Sequence, residues 1–344
     1  AAPHPNPLPA RAGRGDDGAL GACSESIKDG GSGGVPRVGY RATALFALKA
    51  RPYAPPERPL CLGPPGARGS AFQQHRQKNR GAMPASALMN VMIGAARKAG
   101  RSLARDFGEV SQLQVSVKGP ANFVSAADQR AEEIVYRELA KARQGYGFLM
   151  EEGGEIEGDD KTHRWIVDPL DGTTNFLHSI PLFSISIALE REGELVAGLI
   201  YNPVSDELYT AEKGKGAFLN DKRLRVAARR SLQDSVLTTG IPFRGRGGYE
   251  RFERETAPLM REVAGLRRTG AASIDLAWTA AGRFDGYWEH DLQPWDMAAG
   301  IVLLREAGGI ATDVAGGEEM LDKGSIVAAN PTIHKLLLAS LRKA

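Results

Sequence analysis

Cysteine is nearly missing from this sequence: Cys23 and Cys61 are the only two in 344 residues. That is too few for a disulfide framework or a four-ligand zinc site, and it suits a reducing cytosol. No apolar run approaches the ~18 residues that a membrane-crossing helix needs, and the longest candidates, such as Phe183 to Leu189, are interrupted by serines. A soluble, cytoplasmic protein is expected. His163, His178, His290 and His334 show no metal spacing and read as exposed or packed residues. Nor does one charge dominate, with Lys+Arg 44 against Asp+Glu 41, while a 42% hydrophobic content is enough for a large core in one or two domains.

The two ends of the chain differ. Residues 1–82 hold 11 of the 20 prolines and 13 of the 41 glycines, a low-complexity composition that predicts disorder. They carry a net charge of +7, which leaves −4 on residues 83–344. The pI near 8.8 therefore reports the N-terminal stretch, and a nucleic-acid footprint on the folded part loses its support. Partners drawn there by charge would be cations. Gly13 to Gly18 matches a dinucleotide-binding pattern and Gly30 to Gly34 a nucleophile elbow, but neither has the flanking strand and helix that give such motifs meaning. Ala42 to Leu48 lies too far from the N-terminus, and without a cleavage site, for a secretory signal. The chain begins with Ala, and Met83 opens the first well-patterned helix. Either Met83 is the natural start, or the preceding segment is a regulatory or targeting tail.

Beyond Met83, apolar residues at helical spacing predict a first helix through Ala99 and a second over Asp128 to Arg143. Strands follow at Trp165 to Val167, Phe183 to Leu189, Val196 to Tyr201 and Glu207 to Thr210, with short turns that imply an antiparallel sheet. After Arg225 helices and strands mix. The organisation predicted is a disordered 1–82, an α+β subdomain over 83–226 and an α/β subdomain over 227–344.

The most informative segment runs from Trp165 through Asp168-Pro169-Leu170-Asp171-Gly172-Thr173-Thr174-Asn175-Phe176. A strand runs into two aspartates spaced i, i+3 around a proline that is expected to stop it. The amides of Gly172 and Thr173 open a short helix, and free helix-start amides bind phosphate. Glu151-Glu152 precedes and Trp295-Asp296 follows, supplying further carboxylates. Taken singly, Asp-Gly reads as a turn and Asp296 as a helix N-cap.

Taken together, DPLDGTTNF, Glu151-Glu152 and Pro294-Trp295-Asp296-Met297-Ala298-Ala299-Gly300 resemble the motifs of the inositol monophosphatase family of metal-dependent sugar phosphatases, over essentially all of 83–344. The resemblance implies an α/β (α+β) fold, the layered αβαβα sandwich of the inositol monophosphatase and fructose-1,6-bisphosphatase type, with Mg²⁺ dependence, lithium sensitivity and a homodimer. Carried over by motif, Glu151, Asp168 and the Leu170 carbonyl hold one Mg²⁺, and Asp168, Asp171 and Asp296 a second. A third, weaker site lies near Lys118 and Glu152. Oxygen-only ligands favour Mg²⁺ or Mn²⁺ over zinc. Two divalent ions ~3.5–4 Å apart can clamp the attacking and leaving oxygens of an in-line displacement. Thr173, bonded to Asp128, matches the family's water-activating pair, which makes Thr173, Asp128 and Glu151 the catalytic candidates. The alternative for Thr173 and Asp128 is helix capping.

Gly172, Thr173, Asp171, Ala272 in Gly270-Ala271-Ala272-Ser273, and Glu289 are the substrate candidates; the resemblance makes Glu289 a ligand for polyol hydroxyls. Gly153 stands where a serine is usual and Ser125 where a threonine is usual. The function implied is hydrolysis of inositol-1-phosphate to inositol and phosphate. Histidinol phosphate, fructose 1,6-bisphosphate or a 3′-phosphonucleotide are alternative substrates. A protein-interaction or transcription-associated role with secondary catalysis is the alternative of a different class.

Overall fold

The computed structural model describes residues 85–113, 120–242 and 247–343. The Pro/Gly-rich stretch, Met83 and Lys118 lie outside the described residues, as does the Ser125 side chain. One sheet takes β1 (Tyr146–Met150), β2 (Gly154–Ile156), β3 (Asp160–Asp171), β4 (Ser184–Arg191), β5 (Glu194–Asn202), β6 (Glu207–Glu212), β7 (Gly216–Leu219) and β8 (Lys222–Arg223) in the order β2-β1-β3-β4-β5-β6-β7-β8. A second takes β9 (Val236–Thr239), β10 (Gly265–Arg267), β11 (Gly286–His290), β12 (Ile310–Thr312) and β13 (Ser325–Ala329) in the order β10-β9-β11-β13-β12. The helices are α1 (Ala87–Leu113), α2 (Pro120–Ala142), α3 (Thr173–Leu177), α4 (Tyr249–Glu262), α5 (Ala272–Ala280), α6 (Pro294–Glu306), α7 (Met320–Lys323) and α8 (Pro331–Leu341).

Alternation along the strands sorts side chains into separate cores. Trp165 and Val167 of β3, with Ile185 and Ile187 of β4, pack under Met92, Ala96 and Leu103 of α1 and Val135 and Leu139 of α2. Ile166, between Trp165 and Val167, and Ala188, next after Ile187, point to the other face, against Leu276 of α5 and Met297, Ile301 and Leu304 of α6. Tyr287, Ile326 and Ala328 of the second sheet close that same core. Trp288 and Val327 face away from it, onto Leu259 of α4 and Ile333 and Leu337 of α8. Helices α5 and α6 are thus held between two sheets, which is why α6 is apolar nearly all round, with every residue from Met297 to Leu304 buried. The layers are α1/α2, sheet, α5/α6, sheet, α4/α8: the expected αβαβα sandwich.

Three details depart from expectation. Pro169 does not stop β3, which continues to Asp171. Asp168 pairs with Ser186 and Asp171 with Ser184, so three steps on one strand oppose two on the other in a β-bulge. A proline, lacking an N–H, is tolerated at such an irregularity, and β1 has already ended at Met150, opposite Val167. Helix α2 begins at Pro120, ahead of Asp128, so Asp128 is an interior helical residue and not a cap. The first sheet is antiparallel except where β1 pairs parallel to β3.

Candidate active site

The bulge in β3 brings Asp168 and Asp171, both buried, to one place. Oδ1 of Asp168 accepts the Leu170 amide at 2.9 Å, which fixes the turn around Pro169. Oδ2 of Asp171 accepts the Ser273 amide at 2.8 Å and the Ser273 hydroxyl as well. The amides of Ala272 and Ile274 also act on this carboxyl, so it caps the positive end of α5. Asp296 stands one turn into α6; its Oδ2 accepts the Gln293 amide at 2.7 Å in a capping box, and Gln293, rather than Asp296, is the N-cap. Carboxylate oxygens of Asp168, Asp171 and Asp296 lie within 4.8 Å of one another.

Glu151 joins this group from the end of β1. Its amide donates to the Val167 carbonyl at 3.3 Å, and its carboxyl reaches that of Asp168. Burial drives Asp168 well above the usual carboxylate range, and the charges acting on it from Glu151, Asp171, Asp296 and Asp128 are all negative. Burial, then the charge of Asp171, pushes Asp296 up to about 8. Burial likewise takes Glu151 to about 6, and Asp171 to about 6 against the pull of its Ser273 hydrogen bonds. Crowded, desolvated carboxylates with only oxygen donors suit a hard divalent cation.

Asp128 adds a second sign. It is buried on α2, its Oδ1 has no hydrogen-bond partner, and burial followed by the charges of Glu151, Glu152 and Glu132 pushes it up to about 8. The expected bond from Thr173 is not formed: Thr173 Oγ1 donates to the Leu170 carbonyl at 3.2 Å. Thr173 does not cap α3 with its side chain either, because the N-cap is Gly172 at φ 93°. A Cβ on Gly172 would come within 2.9 Å of the Leu182 carbonyl, so strain and space both require glycine there. One turn beyond Asp128, Glu132 accepts the Glu152 amide at 2.9 Å. The sequence reading missed Glu132, although its i+4 spacing from Asp128 was a usable signal.

These groups line a cavity of about 600 Å³. Glu151, Asp168, Leu170, Asp171, Gly172, Thr173, Ala272, Glu289 and Asp296 all border it, whereas Asp128 is absent from its lining and sits behind. Glu289, half-buried, accepts the Tyr287 hydroxyl at 2.7 Å on Oε2, and burial pushes its carboxyl up to about 7. Asn175 ties the two halves of the rim by donating to the carbonyls of Leu182 at 2.6 Å and Thr269 at 2.9 Å. Asp275, Arg268 and His290 also border the cavity. Nothing local marked Asp275 of α5, which takes a 2.7 Å bond from Thr238 of β9. His290 packs against Glu255 at 2.9 Å, His334 meets Thr312 at 2.9 Å, and His163 stacks on Tyr146, as expected of packed histidines.

Among the described residues no helix is long and apolar enough to cross a membrane. Residues 85–344 match the pattern described as the inositol monophosphatase family. The chain is 61% identical to a protein of Mesorhizobium japonicum named inositol-1-monophosphatase, over 76% of this chain and 98% of that one. It is 42% identical to the Escherichia coli protein named Nus factor SuhB, over 74% of this chain and 96% of that one. Among solved structures, the extragenic suppressor protein suhB of Bartonella henselae superposes with a TM-score of 0.71 at 58% identity, covering 75% of this chain and all of that one.

Proposed function

Because the chain belongs to the inositol monophosphatase family of phosphoric monoester hydrolases, we propose that it is a Mg²⁺-dependent enzyme that hydrolyses inositol-1-phosphate to inositol and phosphate. The observation that carries this reading is the placing of Glu289 in the same cavity as the Asp168, Asp171 and Asp296 carboxylates. The acidic cluster serves the phosphate end once its charge is offset, and the Glu289 carboxylate, on the wall of the same cavity, serves neutral ring hydroxyls.

Glu151, Asp168, the Leu170 carbonyl, Asp171 and Asp296 are the groups that hold Mg²⁺. Bound there, Mg²⁺ offsets the carboxylate charge that would repel a phosphate dianion and stabilises the charge that develops on the transferring group. The remaining work falls to the chain itself. Thr173 Oγ1 and Glu151, on the wall of the same cavity, orient the attacking water. In this reading the Thr173 hydroxyl turns from Leu170 to Asp128, whose unpartnered Oδ1 is the acceptor in waiting. The rim around Gly172 and Ala272 confines the substrate, and Glu289 accepts from its hydroxyls. Lithium sensitivity, a homodimer and a cytoplasmic location belong to the same reading.

A phosphate-release panel tests the substrate. Inositol-1-phosphate should be turned over faster than histidinol phosphate, fructose 1,6-bisphosphate or a 3′-phosphonucleotide; the reverse order moves the assignment to the better substrate. The 42% identical relatives named Nus factor favour a second reading, in which the chain also works through a protein partner. Pull-down with the Asp168→Asn protein tests it: specific capture of a partner without catalysis supports that role.

A further inference from the structure

Strand β9 runs parallel to β11, with Thr239 opposite Trp288. Gly240 follows the end of β9 and Glu289 is the next residue of β11, and the glutamate side chain lies over the glycine. A Cβ built on Gly240 would stand 1.7 Å from Oε1, 2.0 Å from Cδ and 2.5 Å from Oε2 of Glu289. Gly240 is not among the residues with positive φ, so its backbone is open to any residue and the constraint is space alone. The obstructing atoms are the end of a flexible side chain, which can swing aside, and not backbone. A substituted Gly240 therefore leaves the fold intact and moves the carboxylate.

We infer that Gly240 is a positioning residue for Glu289: the missing side chain is the space that the carboxylate occupies while it takes the Tyr287 hydroxyl and faces the cavity. This inference rests on the reading of Glu289 as the group that binds substrate hydroxyls. Gly240 borders the same cavity and acts through Glu289, the side chain its missing Cβ makes room for. Tyr287, fully buried, supplies the fixed end of the arrangement, and Gly240 supplies the room. With any larger residue at 240, the glutamate must give up that bond or leave its place on the cavity wall.

The test is a double-mutant cycle on the best polyol phosphate, comparing Gly240→Ala, Glu289→Ala and the double variant. Gly240→Ala should raise KM about tenfold or more with kcat little changed, the signature of lost ground-state binding. In the Glu289→Ala background the same substitution should cost nothing. Combining Gly240→Ala with Glu289→Asp, whose carboxylate is one methylene shorter, should recover part of the loss, which a general packing defect would not allow. An unchanged KM for Gly240→Ala, or an equal further loss in the Glu289→Ala background, overturns the inference. If Glu289→Ala alone leaves KM unchanged, the hydroxyl-binding reading of Glu289 fails and the inference falls with it. If Glu289→Ala raises KM and Gly240→Ala does not, only the inference fails.

Discussion

Ser273 holds Asp171 with two groups at once, the amide at 2.8 Å and the side-chain hydroxyl, both on Oδ2. The same hydroxyl meets Ser184 Oγ at 2.6 Å, so a buried chain of hydrogen bonds links β4, the start of α5 and a proposed metal ligand. Because these bonds favour the ionised carboxyl, they oppose the rise that burial imposes on Asp171.

Ser273→Ala should therefore weaken Mg²⁺ before it weakens catalysis. The Mg²⁺ concentration for half-maximal activity should rise about tenfold, the usual scale for removing a hydrogen bond behind a ligand, with much of kcat regained at saturation. A Mg²⁺ titration of activity checks this; an unchanged midpoint would show that Ser273 does not prepare Asp171 for a cation.

The pH dependence of stability has a definite sign. Asp128 and Asp296 at about 8, and Glu151 and Asp171 at about 6, all stand above the ordinary range of a carboxylate. The folded, metal-free chain thus holds protons that the unfolded chain releases. The stability these groups allow is fully present below about pH 4 and is lost progressively as pH rises from there to about 8. Thermal melts in a chelator should show Tm falling across that interval, and the gain in Tm on adding Mg²⁺ should grow in step. A Mg²⁺ gain that is independent of pH would contradict the account.

Removal of residues 1–82 should leave Tm and Mg²⁺-dependent turnover unchanged. The family match begins at residue 85, and the Mesorhizobium japonicum relative is covered over 98% of its own length by 76% of this chain. Side-by-side melts and assays of the two chains decide it. Aggregation or loss of most activity in the shorter chain would give those residues a part in the folded protein.

What was legible in the sequence was what is local. The run from Asp168 to Phe176 places two carboxylates, a glycine and a helix start within nine residues, and the apolar runs mark β4 and β5 to within two residues at each end, whereas of β3 they mark only its centre, Trp165 to Val167. The reading failed where neighbouring strands decide. Pro169 ends a strand only if its missing N–H is needed, and a bulge beyond the end of β1 removes that need. The capping alternative for Asp128 arises only if its helix begins at Asp128 itself, and α2 begins at Pro120. The contact of Gly240 with Glu289 is created by the pairing of β9 with β11, and no spacing in the chain announces it.

The most direct measurement of the central claim is phosphate release from inositol-1-phosphate against Mg²⁺ concentration, for the wild type and for Asp168→Asn. Asp168 lies at the centre of the carboxylate group, buried and acted on by Glu151, Asp171 and Asp296, and the near-isosteric amide removes its charge while keeping its shape. The wild type should be inactive in a chelator and activated by Mg²⁺. The variant should stay inactive at every Mg²⁺ concentration while its metal-free Tm equals or exceeds that of the wild type, because one mutually repelling carboxylate is gone. Near wild-type turnover by Asp168→Asn at saturating Mg²⁺, or full wild-type activity in the chelator, would contradict the assignment of this cluster as the metal-dependent phosphatase site.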